Sequence, residues 1–133
     1  MTFDWTDYLN LAKTLETDAK NHNPLGEAQM RSAISRAYYS AFNIAKDYLI
    51  SIGKRFNGGA EVHRDIQIIF EDLSQQESDK NKKRNLAEIS NELGILRSSR
   101  NKADYDKNVS GIDKKGEAAV IRAEKVYNLV RLL

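Results

Sequence analysis

The chain has 133 residues, of which 41% are hydrophobic, 30% charged and 8% aromatic, the balance of one globular domain over residues 1–133 that buries a core without staples. With no cysteine, a disulfide framework, a zinc–thiolate centre, an iron–sulfur cluster and thiol catalysis are all excluded. The net charge of +2 hides an uneven spread: residues 1–78 carry eight Lys/Arg against eleven Asp/Glu and residues 79–133 carry thirteen against eight, a basic half that suits RNA or a nucleotide and equally suits solvated helix faces.

Apolar residues recur at helical spacing in five blocks, and a single proline with seven glycines disfavours the many hairpins of a β-sandwich. The first predicted helix, Asp4 to Lys20, sets Tyr8, Leu11, Ala12 and Leu15 on one side and stops at the connection containing His22 and Pro24, where the histidine reads as a surface residue. The second, Glu27 to Ile52, carries Met30, Ile34, Ala37, Ala41, Ile44, Tyr48 and Ile52 and ends at Gly53. Gly58-Gly59 lacks the preceding strand and the lysine of a phosphate-binding loop and reads as a plain connection. The third helix, Ala60 to Gln76, presents Val62, Ile66, Ile69, Phe70 and Leu73. Ser74 to Arg84 is polar throughout and is predicted to be a mobile segment, with Lys80, Lys82, Lys83 and Arg84 solvated. The fourth helix, Asn81 to Ala103, places Leu86, Ile89, Leu93, Leu96, Arg100 and Ala103 on one stripe, and the last, Asp113 to Leu132, has Ala119, Ile121, Val126, Leu129, Val130 and Leu133 apolar. No repeat or linker divides the chain. No apolar run approaches the roughly 20 residues of a membrane span, and the acidic start Met1-Thr2-Phe3-Asp4-Trp5 is unlike a signal peptide, so a cytoplasmic protein without membrane contact is expected.

Arg100 stands where an apolar residue is expected. Burying an unpaired guanidinium costs several kcal/mol, so this side chain is ion-paired, snorkels along its own methylenes, or lines a cleft where its fork grips a phosphate. Arg97, three residues earlier, adds to the same positive field, and Arg36 and Lys102 are further candidate phosphate contacts. A second constellation, Ser35-Arg36-Ala37-Tyr38-Tyr39-Ser40-Ala41-Phe42, alternates small residues with aromatics. Tyr38 and Tyr39 point about 100° apart, so at least one meets a partner helix, either as core or with its hydroxyl orienting Arg100 or Asp104. Ala37 and Ala41 permit close packing on the face carrying the second and fourth helices.

The block from Arg31 to Phe42 (RSAISRAYYSAF), followed by Leu96 to Asp106 (LRSSRNKADYD), resembles the HEPN family in both motifs and their order, over the whole chain. The resemblance implies an all-α, up-and-down bundle of four to five helices that handles RNA or nucleotide in a cleft between protomers, and it supplies the symmetry of a homodimer expected to associate through the face of the second and fourth helices, where Ala37 and Ala41 permit close packing. Many members are metal-independent endoribonucleases of toxin–antitoxin or defence systems, with a motif of arginine, a polar residue, spacers and histidine. Arg100 matches the arginine and Asn101 the polar residue, but the histidine position holds Tyr105. The resemblance also implies a nucleotidyltransferase partner that adenylylates a tyrosine near the motif, for which Tyr105 is the candidate by proximity.

The departure matters chemically. Attack by a ribose 2′-hydroxyl needs a base, an acid for the leaving oxygen and a cation for the phosphorane, and Arg100 supplies only the last. A tyrosine with its ordinary pKa near 10 is a proton donor and a poor base at neutral pH. His63, near the start of the third helix, either reaches the cleft and replaces the missing imidazole or is a partly exposed helix-face residue. Asp104 and Asp106, two apart at a helix end, do not share a face as helical metal ligands must, so neither a metal nor a cofactor is expected. The rival reading is a non-catalytic module for dimerisation or protein interaction, with no activity on nucleic acid.

Overall fold

All five predicted helices form, with ends shifted by no more than two residues: α1 (Thr6–Asn21), α2 (Gly26–Ser51), α3 (Glu61–Gln76), α4 (Lys80–Tyr105) and α5 (Ile112–Arg131). They are seen in a computed structural model that describes residues 2–21 and 25–133, so His22 and Pro24 lie outside the described residues. No strand occurs among the described residues, as the all-α reading expects.

Local chemistry sets the helix ends. Asp4 stands just outside α1, and its carboxylate accepts the Thr6 N–H at 2.9 Å and the Thr6 hydroxyl at 2.7 Å, satisfying a donor the helix leaves free. At the other end of α2, Gly53 adopts φ +95°. Its N–H donates to Ile50 O while that of Lys54 donates to Leu49 O, both at 3.0 Å, a paired closure that favours glycine at the left-handed position.

The central element is α2, which packs on α1, α4 and α5. Ala33, Ala37, Ala41 and Ala45 are fully buried along it, so neighbouring backbones come close. That overturns one expectation: Ala37 and Ala41 are consumed inside the chain and leave no small-residue face for a second copy. On the α5 side, a Cβ added at Gly116 would lie 1.9 Å from the sulfur of buried Met30, so glycine is what lets α2 and α5 meet there.

The α4 stripe is buried as read, from Leu86 through Ile89, Leu93 and Leu96 to Arg100 and Ala103. Two other stripes turn. Leu9 rather than Leu11 faces the core from α1, and Ile121 is exposed while Val120 and Ala123 are buried, because the position of the partner helix selects the face. Glu92 is also buried on α4, held by Arg122 at 2.7 Å and Lys125 at 3.4 Å from α5.

The segment from Ser74 to Arg84 is not a mobile loop. α3 runs to Gln76 and α4 starts at Lys80, leaving residues 77–79 as the connection. Its polar side chains are outer helix faces, and the one inward-facing residue, buried Ser74, donates its hydroxyl to Lys83 O at 2.8 Å and closes the hairpin. α3 packs mainly on α4. It meets α2 through rings: Tyr48 with Phe70, and Tyr38 and Phe42 with His63.

Candidate functional site

The last turn of an α-helix leaves carbonyls without helical partners and carries the negative end of the helix dipole. At α4 one of these, Ala103 O, accepts from Arg31 Nη1 of α2 at 2.9 Å, and the same guanidinium binds the chain just past the helix end, Nη1 donating to Asp106 O at 2.7 Å and Nη2 to Lys107 O at 3.2 Å. Glu27 steadies the same guanidinium from one turn back, 3.3 Å from its Nε. The end of α4 that carries Asn101, Lys102, Asp104 and Tyr105 is thereby tied to α2.

Arg100 turns inward. Its guanidinium lies over the Tyr38 and Tyr39 rings, 5.3 and 5.4 Å from their centroids, which is cation–π range. Its Nη1 is 3.8 Å from Asp104 Oδ2, a loose pair, and that carboxylate also accepts the Ser35 hydroxyl at 3.5 Å. The residue is only 9% exposed, yet its Nε has no hydrogen-bond partner, and neither does the buried Nε of Arg97. Arg36 stacks between Tyr8 at 4.8 Å and Tyr39 at 5.4 Å, so Tyr39 carries a guanidinium from α2 and one from α4.

His63 of α3 reaches this cluster. Its ring stacks on Phe42 at 4.3 Å and on Tyr38 at 5.6 Å, and its Nδ1 is hydrogen-bonded to the Tyr38 hydroxyl. Burial, then Arg100, Arg97 and Lys46, hold its pKa below the ordinary 6.5, so the imidazole is neutral at pH 7. Burial pushes the Tyr38 phenol up to about 12 against the opposing pull of Arg100 and Arg97. The Tyr38 hydroxyl therefore orients neither Arg100 nor Asp104: its ring seats the arginine and its oxygen serves the histidine. Ser35 holds Asp104 instead.

The remaining motif residues face elsewhere. Asn101, Lys102 and the 76%-exposed Tyr105 line an open groove of about 510 Å³ between α3 and α4, with Arg97, Gly94 and Gln67. Glycine at 94 makes room for Gln67, whose Nε2 would lie 2.8 Å from a Cβ there. Five residues of helix put Tyr105 about 140° around the axis from Arg100. Arg97 lies between, lining the groove and adding its charge to the cluster. Among the described residues no three His, Asp or Glu side chains gather as a metal site would need.

Two contributors, Arg31 and Ser35, stand in the sequence motifs but are given no role there. Their signal is spacing: with Tyr38 they fall at i, i+4 and i+7 on one face of α2, the face turned to α4. No curated protein and no solved structure matches the chain. A family model, described as the HEPN domain, matches residues 8–133.

Proposed function

The chain belongs to the HEPN domain family, and on that footing we propose that it binds RNA or a nucleotide through the corner formed by Arg97 and Arg100, as one component of a prokaryotic toxin–antitoxin or defence pair with a nucleotidyltransferase as its cognate partner. The observation that carries this reading is positive charge gathered at one corner: Arg97 lines the open groove, and Arg100 beside it is paired with Asp104 only at 3.8 Å. A guanidinium fork left without a close carboxylate binds phosphate oxygens through charge-assisted hydrogen bonds. Arg36 adds charge from α2 and Lys102 from the groove side. Asp104 tempers rather than cancels the field, since its 3.8 Å separation from Arg100 leaves the arginine only loosely paired.

The test is equilibrium binding of a short RNA across a salt series, in EDTA, for wild type, Arg97→Ala, Arg100→Ala and Arg100→Lys. Phosphate contacts make affinity fall steeply with salt. Arg100→Ala is expected to lose on the order of tenfold or more, and Arg100→Lys much of it, because an ammonium keeps the charge without the planar fork. Absence of binding at every salt concentration would favour the rival interaction module. A homodimer belongs to the same proposal, on a face other than the buried alanines, and sedimentation at micromolar concentration checks it.

A further inference from the structure

The segment ahead of α1 builds a second concave feature, lined by none of the α4 arginines. The segment is pinned in place. The Trp5 carbonyl accepts the buried Ser40 hydroxyl of α2 at 2.8 Å, and Asp4 Oδ1 accepts both the N–H and the hydroxyl of Thr6, leaving Oδ2 without a donor among the described residues. Phe3, Trp5 and Tyr8 pack on one another with centroids 4.9–5.6 Å apart and planes inclined by 59–69°. Beside them lies an open pocket of about 290 Å³, where Phe3 and Trp5 meet Ile44 of α2 and Tyr127 of α5, with Asp4 and Asp47 in the lining. Among the described residues no lysine or arginine lines this pocket, and neither aspartate enters an ion pair.

We infer that this pocket takes the guanidinium of an arginine side chain presented by a partner polypeptide. Aromatic faces attract a cation, carboxylates bind it by charge-assisted hydrogen bonds, and a planar guanidinium does both at once where a strongly hydrated ammonium does not. The chain displays the same chemistry on neighbouring rings: the Arg131 guanidinium lies 5.4 Å from the Tyr127 centroid and that of Arg36 lies 4.8 Å from Tyr8. Phe3, 48% exposed, and Trp5 carry no such cation among the described residues.

Three features select a partner's side chain as the occupant. The pocket is open, so a free small molecule keeps much of its surface wet, whereas a single side chain enters while its backbone runs past. The charge is complementary, because the Thr6 hydrogen bonds hold the Asp4 carboxyl below its usual range and Asp47 adds a second carboxylate with no cation of its own. The rings are already fixed by the Ser40 and Thr6 contacts, so little ordering is left to be done on binding. Arg131 is the opposing element: it sits on the same Tyr127 and repels an incoming cation. The assignment does not depend on what the arginine corner binds.

Trp5 is the only tryptophan of the chain, so its indole N–H gives a single resonance that reports on the pocket. The test titrates the isotope-labelled full chain at low salt with the blocked tripeptide acetyl-Gly-Arg-Gly-amide, and with the same peptide carrying lysine or citrulline instead of arginine. The indole and the Thr6 amide should shift and saturate with the arginine peptide, bind the lysine peptide more weakly, and ignore citrulline, which keeps the shape and lacks the charge. Asp47→Asn and Phe3→Leu, both at exposed positions and checked by melting temperature, should each weaken binding by about two- to fivefold, and Arg131→Ala should tighten it. Shifts that never saturate, equal shifts with citrulline, or wild-type binding by both Asp47→Asn and Phe3→Leu would overturn the inference. Agmatine, the same guanidinium without a backbone, binding more tightly than the peptide would overturn the assignment to a polypeptide.

Discussion

Removing the Arg31 guanidinium should unlatch the end of α4. Three carbonyl contacts, at 2.9, 2.7 and 3.2 Å, are lost in Arg31→Ala. Hydrogen bonds to a charged group contribute about 1.5–3 kcal/mol each, but the carbonyls of Asp106 and Lys107 are exposed and regain water, so the part-buried carbonyl of Ala103 dominates. Loss of the favourable charge at the helix terminus adds roughly 0.3–1 kcal/mol. The net expectation is about 2–3 kcal/mol, which for a urea slope of about 1–3 kcal/mol/M lowers the unfolding midpoint by about 0.7–3 M. Arg31→Lys should recover only part, since one ammonium does not span three acceptors in a fixed fork. Amide exchange should accelerate locally at the last turn of α4, separating this effect from general loosening of the core. A midpoint within about 0.3 M of wild type would refute the view that Arg31 holds the helix end.

Leu93→Ala should cost about 2–5 kcal/mol and Lys83→Ala no more than roughly 0.5, because one empties the middle of the buried stripe and the other trims an exposed side chain; equal denaturant midpoints would mean the helix faces the other way. Glu92→Ala should destabilise by about 1–2 kcal/mol, below the roughly 3–5 kcal/mol of a fully buried broken pair, because Arg122 and Lys125 are exposed enough to turn to water. Its effect should shrink in Arg122→Ala, and strict additivity in that double-mutant cycle would refute the pairing. Tyr38 ionises at about 12 when folded against 10.0 unfolded, so its contribution to stability is complete below pH 10 and is lost as pH rises from there towards 12. Wild type should therefore lose stability faster than Tyr38→Phe over that range, and parallel pH dependences would count against a buried phenol.

The helices were legible because each carries a regular apolar spacing and a stop: Gly53 ends α2, and the 3, 4, 3, 4, 3 spacing of α4 put Arg100 among leucines before any packing was known. What stayed hidden depends on partners distant in sequence. Leu9 and Leu11 are equally apolar, and only the placement of α2 decides which is buried. Glu92 beside Leu93 reads as a surface carboxylate until the α5 cations, 30 and 33 residues on, arrive beside it. Arg31 binds backbone carbonyls, which leave no mark in side-chain identity. His63 could be named but not placed, because half a turn of rotation in α3 would have sent it to solvent.

The arginine corner draws its tyrosines from α2, its histidine from α3 and its guanidiniums from α4, so it is a junction rather than a segment. A chain emerging from the ribosome makes the tyrosine face first and the arginines last, and until α4 docks the parts share no common space. The corner therefore reports completion of the fold: a peptide copied from either motif carries the letters of the site without its shape, and a nascent chain is inert towards any ligand that needs all three helices at once. Proteolysis between α3 and α4, at residues 77–79, would leave packing alone to hold the histidine beside the arginines while sparing every side chain involved.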